Sequence, residues 1–381
     1  MLPLTETRPK PLLKIANKTI LEYNLDALSN IVSEVFLVVG CKKEMIMDYF
    51  GLKYKNLKIT YVIQKDPLGT GNAVLQAENF VKGNFIVMNG DDIYSREDIK
   101  KCVKQYSVLG QKVQTPERFG VLVSKKPFGI LDKIVEKPQS FVSDIANTAL
   151  YFVNDSIFDL LKKTKKSARN EYEFVDAVTE FSKTNKLKIV LTDKWLSIGY
   201  PWHLLDINEQ LLENIKTSIK GKLEKNANYK GNVIIGKNTL VKHGVYIEGP
   251  VIIGDNCSIG PNCYIRPSTT IGNNCHIGNG VEIKNSIVFD NSKIPHLSYV
   301  GDSIIGENVN FGAGTKVANL RHDHGNIKSM ANGQLVDTGR RKFGTVVGDN
   351  VHLGINTCIY PGRKISANKT TLPGEIVTKD I

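Results

Sequence analysis

The sequence predicts an α/β domain followed by a β-solenoid, on three observations. From about residue 233 onward an apolar residue returns at every sixth position: Ile235, Val241, Ile247, Ile253, Ile259, Ile265, Ile271, Ile277, Ile283 and Phe289 share one phase. In the first half, Val35-Phe36-Leu37-Val38-Val39-Gly40 and Phe85-Ile86-Val87-Met88-Asn89-Gly90 are apolar runs closed by glycine, with helix-like stretches between them. Between the halves, Ala227-Asn228-Tyr229-Lys230-Gly231-Asn232 breaks to loop. The boundary is expected near residue 225, giving domains over 1–225 and 226–381.

A period of six matches neither the 3.6 of a helix nor the 2.0 of an open strand. It matches one side of a three-sided coil, in which each short strand points one large side chain inward before the chain turns. Such a repeat cannot bury its apolar row alone and must stack on its neighbours. Glycine often follows the inward residue, as at Gly236, Gly254, Gly260, Gly272 and Gly278. Cys257, Cys263 and Cys275 occupy small inward positions. Cys257 and Cys275 are expected one above the other, about 4.8 Å apart along the stack, as buried thiols and not a disulfide or metal site.

The runs at 35–40 and 85–90 have the look of strands buried on both faces of a parallel sheet. Helices are expected at 44–50, 71–80 and 201–224, the last with Leu204, Leu205, Ile207, Leu211, Leu212 and Ile215 on an apolar stripe. Strand–helix alternation predicts ligands at the carboxyl ends of the strands.

Composition bounds the function. The 381 residues are 41 % hydrophobic and 23 % charged, ordinary globular material with chain enough for two domains. No apolar stretch reaches about 18 residues, so no membrane span is expected. The N-terminus shows no secretory signal, and the expected compartment is the cytoplasm. The net charge of +12 favours anionic partners such as nucleotides, phosphosugars or coenzyme A. No Lys/Arg block is interleaved with aromatics, so no nucleic-acid partner is expected.

Several stretches fit phosphate chemistry. Arg8-Pro9-Lys10-Pro11 holds a cation between two prolines. Gln64 to Gly71 is a Gly-rich turn opening a helix, where backbone N–H groups approach a base or phosphate. Asp91-Asp92 follows the strand ending at Gly90, the usual place for a Mg²⁺-binding carboxylate. Glu136-Lys137-Pro138, Asn147-Thr148 and Glu171-Tyr172-Glu173 end apolar runs or begin loops. In the second half the phase is read as breaking at Pro295-His296-Leu297-Ser298-Tyr299. His296 is the natural candidate for a general base working near neutral pH, with Tyr299 expected to reach the same space. Gly312-Ala313-Gly314 offers N–H groups to an oxyanion. A second interruption, 320–344, holds Arg321-His322-Asp323-His324 and Gly339-Arg340-Arg341-Lys342; it is expected as a solvated loop whose basic end meets a phosphate or coenzyme A.

L-P-L-T-E-T-R-P-K-P-L-L, the 64–71 turn, Gly90-Asp91 and E-K-P resemble the sugar-1-phosphate nucleotidylyltransferases. Joined to six-residue repeats carrying Pro295-His296-Leu297-Ser298-Tyr299-Val300-Gly301-Asp302, the chain resembles over essentially its full length the bifunctional nucleotidylyltransferase/acetyltransferase family, most closely its archaeal form. The resemblance implies a Rossmann-like domain, then a left-handed parallel β-helix, a homotrimer, and the use of Mg²⁺, a nucleoside triphosphate and acetyl-CoA. It implies Asp91 as the metal ligand, Lys10 on phosphate, Gln64, Gly69 and Thr70 on the base, and Glu136 and Asn147 on the sugar. In the second half it implies His296, Tyr299 and Asn310 as catalytic residues. Arg266, Lys284, Asn319 and Lys342 would hold the acceptor sugar phosphate, and Ala313 the oxyanion and acetyl-CoA.

The chain departs from that family in four places. The first strand and its Gly-x-Gly-x-Arg loop are missing, and the expectation is that they are encoded upstream of Met1. Ser197 stands where a carboxylate or Asn serves as second metal ligand, Ala149 where Gly is usual, and Leu320 where bacterial members have Tyr. The expected function is nucleotide-sugar synthesis of the UDP-N-acetylglucosamine type. Glucosamine-1-phosphate or galactosamine-1-phosphate would be N-acetylated, and a nucleotidyl group transferred from UTP or dTTP to a sugar 1-phosphate. The competing expectations are a nucleotidylyltransferase whose solenoid only trimerises it, and a non-catalytic regulatory subunit.

Overall fold

The computed structural model describes residues 1–125 and 129–381, which fall into two units: 20–197, and 1–19 together with 198–381. Among the described residues no helix is long and apolar enough to cross a membrane.

In the α/β unit the two apolar runs become strands Glu34–Val39 and Asn84–Met88, in different sheets. Glu34–Val39 runs parallel to Leu57–Ile63 across the helix Lys43–Phe50, and Lys53–Tyr54 closes that sheet antiparallel. Asn84–Met88 runs antiparallel to Ile145–Asn154 in a six-stranded sheet with Ser107–Lys112, Gly120–Ser124, Leu131–Glu136 and Lys188–Thr192. The sheet is thus mixed, not purely parallel. Glu34–Val39 and Asn84–Met88 each keep one unpaired edge among the described residues, and Val35 to Val38 and Phe85 to Met88 are only partly buried. Full burial on both faces was expected, and the free edges account for the difference.

Helices Ile157–Lys163 and Phe174–Thr184 cover the larger sheet, burying Phe158, Leu161, Phe174, Val178 and Phe181 against Val108, Leu122 and Ile145. The helix expected at 71–80 is shorter, Thr70–Leu75. The strand Ile145–Asn154 changes register between Asn147 and Tyr151, and inside that irregularity Ala149 has φ +61°. A Cβ in the left-handed region costs about 1–2 kcal/mol, and glycine returns part of that gain as chain entropy. Ala149→Gly is therefore expected to stabilise the α/β unit by about 1 kcal/mol, read as a rise in its calorimetric midpoint; a fall would refute the strain account.

The solenoid begins at Ser218, upstream of the boundary expected at 225: Ser218–Ile219 and Lys222–Leu223 already pair with the next coil. The helix expected over 201–224 is accordingly confined to His203–Leu212, with Leu204, Leu205, Ile207, Asn208 and Leu212 buried. Two faces of the prism carry eight parallel strands and the remaining one five. Bridges Lys293–Asn310, Asn310–His352 and His352–Thr370 continue the five-stranded face. One corner is an asparagine ladder with positive φ: Asn238 bonds Asn256, Asn274 bonds Asn291, and Asn350 bonds Asn368, each at 3.1 Å. Asparagine tolerates that conformation, and its amide stacks coil on coil.

The inward row corrects the sequence reading at two corners. Ile271 pairs with Val288, Ile283 with Val300, and Val288 with Ile305. The steps Ile283 to Val288 and Val300 to Ile305 are therefore five residues, while Ile294 to Val300 keeps six. The phase slips at Asn285-Ser286 and Asp302-Ser303, not at His296. Phe289 is buried for another reason: its ring lies under the Arg8 guanidinium, 5.5 Å away. Cys257, Cys263 and Cys275 are buried free thiols, and the Cys275 N–H donates to the Cys257 sulfur at 3.4 Å.

Residues 1–19 pack on the solenoid's first face. Asn17 Nδ2 donates to the Ile271 carbonyl at 2.6 Å, Lys14 pairs with Asp290 at 2.5 Å, and Arg8 pairs with Glu307 at 2.7 Å and with Asp349. The interruption at 320–344 is not a structureless loop. It carries the antiparallel hairpin Lys328–Ala331 with Gln334–Asp337, anchored by the Ser329 hydroxyl on the Gly362 carbonyl at 2.8 Å.

Candidate functional site

In the α/β unit Gln64, Asp91 and Glu136 stand at or just past strand ends, while Asn147 lies within the strand Ile145–Asn154. Gln64 follows the strand Leu57–Ile63, and its amide donates to Asn72 Oδ1 at 2.9 Å and to the Gly69 carbonyl at 3.3 Å. A cavity of about 610 Å³, lined by Gly40, Cys41, Lys43, Ile63, Gln64, Lys65 and Pro67, opens beside it. Gly69 has φ +106°, and a Cβ there would stand 2.6 Å from the Tyr172 carbonyl, so only glycine fits. The Thr70 hydroxyl accepts the Phe174 N–H at 3.0 Å, engaging it in holding two helices together.

Asn147 donates to the Tyr151 hydroxyl at 2.6 Å, and its own oxygen accepts the Ala149 N–H at 3.1 Å. Glu136 lies 3.8 Å from Arg169. The antiparallel bridge of Ile93 to Leu196 carries Asp91-Asp92 alongside Ser197, joining two positions the sequence reading linked. Lys10 opens the turn Lys10–Leu12 in the unit containing the solenoid. Among the described residues no group of three or more His, Cys, Asp or Glu side chains is placed to hold a metal ion. A Mg²⁺ ion needs only one or two protein carboxylates when substrate phosphates and water complete its octahedron.

In the solenoid the predicted residues form two groups at opposite edges of one face. At the first edge stand His296 and Ala313, with Asn310 at the far end of the adjoining five-stranded face, over Lys293. The register pairing Lys293 with Asn310 sets Ala313 on the coil above His296, and the Gly314 N–H donates to the His296 carbonyl at 3.2 Å. The His296 ring is exposed, and its neighbour His276 is held below the usual imidazole value by burial and by Lys242, His296 and Lys293. Of the glycine-rich run, Gly312 and Gly314 use their N–H groups in the coil ladder. The Ala313 N–H has no partner among the described residues and is the one open to an oxyanion.

At the other edge stand Arg266, Lys284, Tyr299, Asn319 and Lys342. Arg266 pairs with Glu282 at 2.8 Å and lies over the Tyr264 ring, with its Nε buried and unpartnered. Asn319 donates to the Tyr299 hydroxyl at 3.1 Å and to Asp302 at 2.5 Å. Lys284 is 3.6 Å from Asp302. Burial lowers the Lys284 ammonium, Asp302 opposes that, and Lys342 and Arg266 add to the lowering. Burial raises the Tyr299 phenol, against the Asn319 amide. Tyr299 was expected to share space with His296. Leu297, at φ +47°, turns the chain between them and puts the two on different faces, so Tyr299 belongs to the cationic group. A Cβ on Gly301 would meet the Asn319 amide and the Tyr299 hydroxyl, each at 2.5 Å, a requirement single-sequence reasoning missed.

The basic end of the insertion divides. Arg340 is taken by Asp206 and by Glu209 at 3.2 Å, and Arg341 contacts His324 at 3.2 Å, while Lys342 joins the cationic group beside Lys284. Leu320 bridges Lys342 at the root of the insertion.

Residues 1–214 match the family model described as Nucleotidyl transferase, and residues 247–376 that described as GMPPB C-terminal domain. The chain is 44 % identical over 383 residues to bifunctional protein GlmU of Methanococcus maripaludis, spanning 100 % of this chain and 92 % of the relative. It is 42 % identical over 381 residues to bifunctional protein GlmU of Methanocaldococcus jannaschii, again spanning 100 % and 92 %. To the bifunctional sugar-1-phosphate nucleotidylyltransferase/acetyltransferase of Sulfurisphaera tokodaii it is 40 % identical over 386 residues, spanning 100 % of this chain and 94 % of the relative. Matched end to end by these relatives, and built of the α/β unit and solenoid that the sequence predicts, the chain belongs to the family of bifunctional sugar-1-phosphate nucleotidylyltransferase/acetyltransferases.

Proposed function

We propose that the solenoid acetylates an aminosugar 1-phosphate from acetyl-CoA, and that the α/β unit transfers a nucleotidyl group from a nucleoside triphosphate to a sugar 1-phosphate. The observation that carries the first half is the pair of groups flanking one solenoid face: cations at one edge, and His296 beside the open Ala313 N–H at the other. Arg266, Lys284 and Lys342 neutralise the phosphate, and Asn319 with Tyr299 orients the sugar. The amine nitrogen attacks the thioester carbonyl, His296 takes the proton it loses, and the C–S bond breaks to release coenzyme A. The Ala313 N–H meets the oxyanion, and Asn310, on the same face as His296, orients the reacting groups.

Three residues of strand, Tyr299–Gly301, and the corner before it separate His296 from the cations of its own chain. This supports a closed homotrimer in which the His296 edge of one copy completes the cationic edge of the next. In the α/β unit Asp91 would serve the triphosphate, Gln64 and Gly69 the base, and Glu136 and Asn147 the sugar. A Mg²⁺ ion held by Asp91 would neutralise phosphate charge. All of this is consistent with action in the cytoplasm, where the free cysteines stay reduced. The match of residues 247–376 to a domain of another name favours one second reading, a nucleotidylyltransferase with a structural solenoid.

One assay separates them. Purified protein with acetyl-CoA and glucosamine-1-phosphate is expected to release free thiol in proportion to acceptor consumed. No thiol release with glucosamine- or galactosamine-1-phosphate, alongside pyrophosphate release from UTP or dTTP, would establish the second reading.

A further inference from the structure

We propose that Asp302 is the positioning residue of the acceptor site, fixing Lys284 and Asn319 in place; this rests on the acetyltransferase reading above. Asp302 is 2 % exposed, and its backbone lies in the left-handed region at φ +51°. It sits at the second of the two shortened corners, directly over Asn285 at the first. Its N–H donates to the Lys284 carbonyl at 2.9 Å, and its carbonyl accepts the Gly344 N–H at 2.8 Å, where the chain returns from the insertion. One carboxylate oxygen accepts Asn285 Nδ2 at 2.9 Å, and the other accepts Asn319 Nδ2 at 2.5 Å. Lys284 stands 3.6 Å away and Arg340 3.9 Å.

A buried carboxylate is tolerated only where cations and donors surround it, and removal of its charge is felt by each of them. The charged and titratable groups facing Lys284 are Asp302, Lys342 and Arg266, with Tyr299 and Arg340 on Asp302's other sides. Glu282 is engaged with Arg266, and Asp206 and Glu209 with Arg340. Among the described residues Asp302 is thus the carboxylate facing Lys284, and it faces Arg340 as well. Without it Lys284 would be half-buried facing two cations, and its pKa would be lowered further. Through Asn319 the same carboxylate also fixes the Tyr299 hydroxyl.

The test is Asp302→Asn in the full-length protein, assayed by thiol release with glucosamine-1-phosphate. The shape is kept and the charge removed, and one of the two amide donors loses its acceptor. The acceptor KM is expected to rise about 10–100-fold, the range for a lost hydrogen bond to a charged group, while the KM for acetyl-CoA stays within about twofold. The alkaline limb of kcat/KM for the acceptor should move to lower pH, because Lys284 loses its proton earlier. Adding Lys284→Arg to Asp302→Asn should return the limb to high pH and recover part of the KM, since a guanidinium stays charged. An unmoved acceptor KM and limb, or a double variant no better than the single, would overturn the proposal.

A second readout is independent of turnover: the NMR titration of dimethylated Lys284, assigned by its loss in Lys284→Arg. Its midpoint should fall in Asp302→Asn; an equal midpoint overturns the role of Asp302 even in an enzyme without acetyl transfer. Wild type inert in the assay but shifting in the titration would instead overturn the acetyltransferase reading alone. If Asp302→Asn does not fold, Asp302→Glu carries the test: the limb stays, and the displaced carboxylate raises the acceptor KM. A limb that moves with the charge retained overturns the proposal.

Discussion

His296→Ala is expected to lower kcat for acetyl transfer by about 10²–10⁴-fold, the contribution of a positioned general base. The melting temperature should barely change, because the ring is exposed and substitutions at such positions shift stability by about 0.5 kcal/mol or less. The loss should persist at saturating acceptor, since the phosphate-binding cations at the far edge of the face remain. Lys284→Ala should show the converse pattern, a raised acceptor KM with the base intact. The two variants together test how the site is assembled. If His296 of one copy serves the cations of the next, mixing the two variants with subunit exchange rebuilds sound sites at about a quarter of the interfaces of a randomly mixed trimer, read at an acceptor concentration where neither variant alone turns over. Mixed assemblies, verified by mass, that stay inactive would show that each chain supplies both edges of its own site. His296→Ala with more than about a tenth of wild-type kcat would remove His296 from the role of base.

The solenoid was legible because its repeat is long and regular, and a period of six has no competing interpretation. The phase slip was not, and one residue explains why. Phe289 continues the apolar period past the shortened corner, yet it is apolar because Arg8 and residues 1–19 cover the outer face there. Val288 fills the interior position, and a row of large apolar side chains does not reveal which one points inward. The available signal was polar: Asn285-Ser286 and Asp302-Ser303 stand at equivalent corners, each closing a five-residue step. Reading those pairs would have moved attention from His296 to Asp302. Gly301 was hidden for a related reason, since its need for a bare Cα comes from Asn319 on the next coil. In the α/β unit the motifs at Gln64, Asp91 and Glu136 do fall at strand ends, but Asn147 lies inside a strand and the Thr70 hydroxyl accepts from a distant helix.

Arg8 shows the same limit and yields the largest stability prediction. In the sequence it belongs to a basic, proline-rich stretch suited to phosphate, but its guanidinium is 8 % exposed and engaged by Asp349 and Glu307, with Phe289 beneath. Burial acts to lower its pKa, but the two carboxylates more than offset that and hold it above the usual value. Asp349 is itself 3 % exposed, and its second oxygen accepts the Glu307 N–H at 2.7 Å. Removing one partner of a buried pair leaves an uncompensated charge and costs about 3–5 kcal/mol. Glu307 remains to Arg8, so Asp349→Ala is expected at the low end, about 3 kcal/mol. The change should appear where Arg8 ties the chain down. The Leu12, Leu13 and Ala16 amides, bonded to Pro9, Lys10 and Asn208, should exchange with solvent hydrogen about 10²-fold faster in the native state. Amides of the strand Ser107–Lys112, in the other unit, serve as the unchanged reference. Replacing the pair together, Arg8→Met with Asp349→Leu, should restore most of the protection, because two apolar side chains leave no buried charge. Exchange at Leu12 and Leu13 unaltered by Asp349→Ala would mean that the apolar contacts of Leu4, Leu12, Leu13 and Ile15 hold the segment without the ion pair.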